Sequence, residues 1–144
     1  MADWDPEAFE NSVLADMRAH GGQVTEGWMK GEPVLFLTST GAKTGLARRN
    51  ILNFSRDGEA YVVAGTAGGA PTDPKWVANV RANPTVSVEA DGRVFEGQAA
   101  VAEGDSNPER ERLWDQHVAT IPRFAGYPEQ TGRAIPMVRI TPKT

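Results

Sequence analysis

The chain has 144 residues, a formal net charge of −4 and no cysteine. Its length suits one domain, residues 1–144, with a proper core, and its acidic balance argues against a nucleic-acid partner. The missing thiols exclude disulfides, thiolate nucleophiles and cysteine-ligated metals.

No run approaches the roughly 18 apolar residues of a transmembrane helix. The first residues, Met1-Ala2-Asp3-Trp4-Asp5, are acidic rather than signal-like, so the expected location is the cytoplasm. Asp5-Pro6-Glu7 then places a capping residue before proline and an acid in the first turn, and Phe9, Val13 and Met17 follow at spacing four with Leu14 beside them. This predicts an amphipathic helix ended by Gly21-Gly22. A short connection through Trp28-Met29 leads to the apolar run Pro33 to Thr38, which reads as a buried strand.

The segment Thr40-Gly41-Ala42-Lys43-Thr44-Gly45-Leu46-Ala47-Arg48 is a glycine-hinged basic loop, equipped with hydroxyls and cations to wrap an anion. A second strand is predicted from Arg49 to Ser55. The Asp57-Gly58 turn joins it to a third over Ala60 to Ala64, and Asp91-Gly92 joins Thr85–Glu89 to Arg93 onward. Between the hairpins, Asp73-Pro74-Lys75 signals a capped helix through Trp76, Val77 and Val80, stopped by Asn83-Pro84. Asn107-Pro108-Glu109 opens another helix that Pro122 ends, and Ile135 to Ile140 forms the last strand. The pattern is an α+β domain with about six mostly antiparallel strands and three helices, best closed as a small barrel to remove exposed edges.

The chemistry is concentrated in loops. A second glycine-rich segment, Gly65-Thr66-Ala67-Gly68-Gly69, follows the third strand, and two such loops at strand ends suggest close backbone approach to one ligand. Lys43-Thr44 is not a nucleotide P-loop, because Ala42 replaces the required glycine and a strand follows instead of a helix. Trp76 reads either as a core anchor or as an aromatic wall for a planar ligand, and Trp28 and Met29 either as a pocket mouth or as core cover. His20 and His117 lie in predicted helices without ligand spacing, so no metal is expected, and no Gly-x-Ser-x-Gly motif is present. With so little acid, base or nucleophile available, the chemistry of an enzyme built on this chain would belong to a bound cofactor.

The run Val34 to Gly45, then Arg48, Asp57-Gly58, Val63 to Ala70, Pro74-Lys75-Trp76, Arg81 to Val86 and Thr131 to Pro136 resembles the deazaflavin-dependent nitroreductase family of actinobacteria. The resemblance implies a split β-barrel of the pyridoxamine-oxidase-like flavin-binding fold, with reduced coenzyme F420 as hydride donor. By motif position it places Lys43, Thr44 and Arg48 at the cofactor's phosphate and acidic tail. Asn50, Ile51, Ala64, Gly65, Thr66, Ala67 and Trp76 fall along the ring system and its linker. Residues 1–32 would be a helix and lid segment, with Trp28, Met29, Asn53, Phe124 and Tyr127 around the acceptor. Tyr127 and water are the two candidate proton donors.

Departures from the family pattern at five positions bear on function. Ala42 and Ala67 stand where family members carry cations, and Asn53, Ile121 and Phe124 replace tyrosines of the nitroimidazole-reducing member. The expectation is therefore an F420-dependent oxidoreductase acting on a quinone or an α,β-unsaturated carbonyl, with nitro compounds less favoured. The alternatives are an FMN-binding oxidoreductase of the same fold, or a non-catalytic protein that holds a deazaflavin or a lipid. The fold analogy leaves a homodimer open.

Overall fold

The computed structural model describes residues 5–143; the acidic start, Met1 to Trp4, and Thr144 lie outside the described residues. Helix α1 (Pro6–Ala19) starts as its sequence predicts. The Asp5 carboxylate accepts from the backbone N–H groups of Glu7 and Ala8 at 3.0 and 3.2 Å, satisfying two orphan donors of the first turn. Val13, Leu14 and Met17 form its buried stripe, which packs on one face of strand β1 (Val34–Thr40) against Val34 and Phe36. Leu35 and Leu37, on the opposite face of β1, enter the barrel interior. The run is continuously apolar because both faces of the strand are covered.

Among the described residues the sheet has seven strands rather than about six, all paired antiparallel, in the order β2 (Ala47–Asn53), β1, β5 (Thr85–Ala90), β6 (Arg93–Ala102), β7 (Met137–Pro142), β4 (Ala60–Ala64) and β3 (Ser55–Asp57). The extra strand arises because the predicted Arg49 to Ser55 strand divides at Phe54. Strand β2 (Ala47–Asn53) pairs with β1, whereas β3 (Ser55–Asp57) pairs with β4 (Ala60–Ala64) at the far end of the order. The two ends of the sheet are thus consecutive in the chain, and the sheet curls into a split barrel with Phe54 at the seam. The Phe54 ring is buried 5.1 Å from the Tyr61 ring, and its N–H donates to the Pro33 carbonyl at 3.1 Å.

Strands β5 (Thr85–Ala90) and β6 (Arg93–Ala102) are joined by Asp91-Gly92, both at positive φ (54° and 76°), as a type I′ turn requires. In the other hairpin Asp57 pairs with Ala60, so the loop is Gly58-Glu59 and Asp57 is the last strand residue instead of a turn residue. Its carboxylate accepts from Arg112 and Arg139, which ties the hairpin to helix α3 (Pro108–Thr120) and strand β7 (Met137–Pro142).

Helix α2 (Lys75–Ala82) lacks the predicted side-chain cap. Pro74 occupies the capping position, and Asp73 pairs with Arg133 at 2.5 Å. Trp76, Val77 and Val80 of α2 close one end of the barrel core. Helix α3 keeps its cap, with Asn107 Oδ1 accepting from Glu109 and Arg110, and packs with Ile121 and Phe124 against Val62, Ala64 and Met137. A fourth helix, α4 (Tyr127–Thr131), follows a 3-10 turn at Pro122–Gly126. Five residues are too few to show an amphipathic stripe, which is why three helices were expected.

Candidate active site

A cleft of about 290 Å³ opens between β2, the segment leaving β4, the start of α2 and the Phe124 to Tyr127 segment. Strand β2 contributes Asn50, Ile51 and Asn53, and the β4 exit contributes Ala64, Thr66 and Ala67. Trp76 is 4% exposed and packs in the barrel core while also lining the cleft. Trp28, Phe124 and Tyr127 line the other side. Residues expected at both cofactor and acceptor therefore face one space.

The wall after β4 is shaped by its backbone. Ala67, Gly68 and Gly69 all take positive φ (50°, 66° and 93°), which turns the chain sharply beside the cleft. Gly65 does not line the cleft. A Cβ there would lie 2.9 Å from both Val77 Cγ2 and Pro136 Cγ, so glycine is needed for packing. Arg133 holds the loop from outside: its Nη2 donates to the carbonyls of Gly65 and Thr66 at 3.0 Å each, and its Nε to Ala70 O at 3.3 Å. In the sequence Arg133 falls within the family-like run Thr131 to Pro136, where nothing local marks this clamp.

The basic loop sits apart from the cleft. Gly41 N–H donates to Leu46 O at 2.8 Å and Gly45 N–H to Gly41 O at 2.9 Å, while Ala42 N–H donates to Asn79 Oδ1 on α2 at 2.9 Å. Thr44 Oγ1 accepts from Leu46 N–H at 3.2 Å, so this hydroxyl serves the turn. The side chains of Lys43 and Arg48 are exposed and make no hydrogen bond or ion pair among the described residues. The loop is thus anchored on the helix whose first turn carries Trp76. Met29 is also away from the cleft, buried against α1 and β1 in the core-cover role.

Arg123 is the cleft residue that sequence reasoning missed. Its guanidinium makes a two-pronged pair with Glu32 at 2.9 and 3.0 Å, donates to Asn53 Oδ1 at 2.7 Å and donates to the Tyr127 hydroxyl at 3.0 Å. It also lies 5.2 Å from the Trp28 ring centre and 4.9 Å from that of Phe124. Arg123 keeps the Glu32 carboxyl below the usual carboxylate range. Behind this layer, His117 meets Phe124 edge-on at 4.6 Å, and burial, aided by the Arg123 charge, pushes its pKa down to about 4.

The F420H(2)-dependent quinone reductase family model matches residues 11–142. The F420H(2)-dependent quinone reductase Rv1261c of Mycobacterium tuberculosis is 36% identical over 110 residues, covering 76% of this chain and 73% of that protein. The solved structure of an F420-H2 dependent reductase, FDR-A, is 37% identical with a TM-score of 0.66, covering 75% of this chain and 93% of its own. A second structure, described as a domain-swapped dimer, is 31% identical with a TM-score of 0.68, covering 94% and 99%. A Listeria innocua protein named for pyridoxamine 5'-phosphate oxidase shares the fold at 20% identity and a TM-score of 0.54, covering 94% of each chain.

Proposed function

The chain belongs to the F420H(2)-dependent quinone reductase family, and we propose that the cleft between Trp76 and Tyr127 is where its hydride transfer takes place. The protein is an oxidoreductase that uses reduced coenzyme F420, and its acceptor is a quinone. The family gives no support to FMN as the alternative cofactor, and the non-catalytic reading gives way to the enzyme. When bound, the reduced deazaflavin supplies a hydride.

The single observation that carries the site is the convergence of the glycine loop, Trp76 and the Arg123–Tyr127 pair on one cleft. The residues present fit the cofactor. The buried Trp76 offers a flat wall, the left-handed turn at Ala67–Gly69 brings backbone to the edge, and Asn50 and Thr66 offer side-chain polar groups that have no partner among the described residues. Lys43 and Arg48, anchored through Asn79 to α2, are the cations for the phosphate and acidic tail, with the positions of Ala42 and Ala67 contributing none.

The chain's part in the reaction is to orient both partners and exclude water, with a proton supplied to the acceptor oxygen from Tyr127. α,β-Unsaturated carbonyls, which also need hydride followed by a proton, are a second acceptor class. Among the described residues no helix is long and apolar enough to cross a membrane, which is compatible with a cytoplasmic site of action. The domain-swapped dimer among the similar structures supports a homodimer.

Titration with oxidised F420 and, separately, FMN, followed by tryptophan fluorescence, tests the site. Saturable quenching by F420 that is lost on replacing Trp76 by leucine is the expected result. FMN binding in place of F420 would overturn the assignment.

A further inference from the structure

We propose that Arg123 is a positioning residue that turns the Tyr127 hydroxyl into the proton donor of quinone reduction. The inference rests on the proposed cleft and adds a proton path to it. A tyrosine hydroxyl has one proton and accepts through its lone pairs, whereas a guanidinium only donates. Because Arg123 Nη1 donates to Tyr127 Oη at 3.0 Å, the hydroxyl proton cannot lie along that line. No acceptor for the Tyr127 O–H is found among the described residues, and Tyr127 lines the cleft. The hydroxyl is left to donate to whatever occupies that space.

Arg123 is itself immobilised. Glu32 takes Nε and Nη2, Asn53 Oδ1 takes Nη2 again, and Trp28 and Phe124 lie within cation–π distance. Arg123 and Tyr127 are four residues apart, across the step from the 3-10 turn into α4, which brings the two side chains together. The ring of Phe124 meets that of Tyr127 edge-on at 5.1 Å and packs against the phenol. Asn53 cannot take the donor role, because its Nδ2 already donates to Glu32 and to Pro33 O.

A hydride adds to the quinone, which gains two electrons and leaves one oxygen as an anion. The Tyr127 O–H bond breaks, a bond between that proton and the quinone oxygen forms, and water returns a proton to the phenolate. The second proton of the reduced cofactor passes to solvent, so one quinone yields one hydroquinone for each cofactor oxidised.

A double-mutant cycle tests the inference, using the full chain with F420H2 and menadione. Tyr127→Phe should lower kcat by roughly 100-fold, the lower range for a lost general acid. Arg123→Met should lower it in the same direction, yet have no further effect in the Tyr127→Phe background. Equilibrium binding of menadione to the protein loaded with oxidised F420 should weaken roughly three- to tenfold in either variant, and no more in the double variant. Because Arg123→Met strands Glu32, the pair Glu32→Gln/Arg123→Met is measured alongside, with melting temperature as the control for folding, and should repeat the kcat loss. Equal Arg123→Met losses in both backgrounds, or an unaffected Tyr127→Phe enzyme, would overturn the inference while leaving the cleft assignment standing. A wild-type protein that binds no F420 would instead remove the cleft assignment.

Discussion

Nδ1 of His117 lies 2.8 Å from the Ser55 hydroxyl, 62 positions away in the chain, and this bond fastens α3 to the short strand β3 just beyond the barrel seam. His117 is fully buried, and its Nε2 has no hydrogen-bond partner among the described residues. Burial first, and the charge of Arg123 second, hold its pKa down to about 4. A charged imidazole has no place in this packing.

Below about pH 6.5 the unfolded chain binds a proton that the folded chain refuses until about pH 4, so stability declines as pH falls across that window, by up to roughly 3 kcal/mol. Urea denaturation at pH 7 and pH 5 should show the loss in the wild type. In His117→Gln the difference should shrink, since glutamine does not titrate.

The Arg133 clamp predicts a separable effect on the cofactor loop. Arg133→Met removes the donors to Gly65, Thr66 and Ala70 and leaves Asp73 unpaired. F420 affinity should fall by roughly tenfold or more, in line with about 1.5–3 kcal/mol for a hydrogen bond to a charged group. Fluorescence titration measures it, and circular dichroism should show the barrel retained.

These two arginines mark what the sequence did not reveal. The strands, the Asp91-Gly92 turn and the capped helices were legible because each rests on residues close together in the chain. The break at Phe54 was not, since Arg49 to Ser55 alternates like one strand and only its pairing with two different neighbours, β1 before Phe54 and β4 after it, divides it. Arg123 finds its carboxylate 91 positions away in Glu32, and Arg133 finds its carbonyls more than 60 positions away, so neither spacing carries a local signal. The loops themselves were visible in their glycines, as was Trp76 in its place after the second of them. Met29 read equally well as pocket mouth or core cover until the fold placed it under α1.

Gly65 should not tolerate a side chain. In Gly65→Ala the added methyl meets Val77 and Pro136 at 2.9 Å, and overpacking of this kind costs roughly 1–3 kcal/mol. A lowered urea midpoint at unchanged slope would register the loss.

The free cations of the basic loop predict a charge-selective defect. Lys43→Ala/Arg48→Ala should weaken F420 binding by roughly tenfold or more, with little effect on stability because neither side chain has a partner among the described residues. The deazaflavin riboside, which lacks phosphate and acidic tail, should bind both proteins alike. Parallel titrations with the two ligands make the comparison.

Oxidation of F420H2 by menadione, followed through the reappearing deazaflavin absorbance with and without protein, decides whether the cleft between Trp76 and Tyr127 carries quinone reduction. Saturable turnover is expected, with one F420 formed per menadione reduced, and that turnover should be lost in a Trp76 or Tyr127 variant that still folds. Turnover no faster than the protein-free reaction, or full activity in both variants, would contradict it.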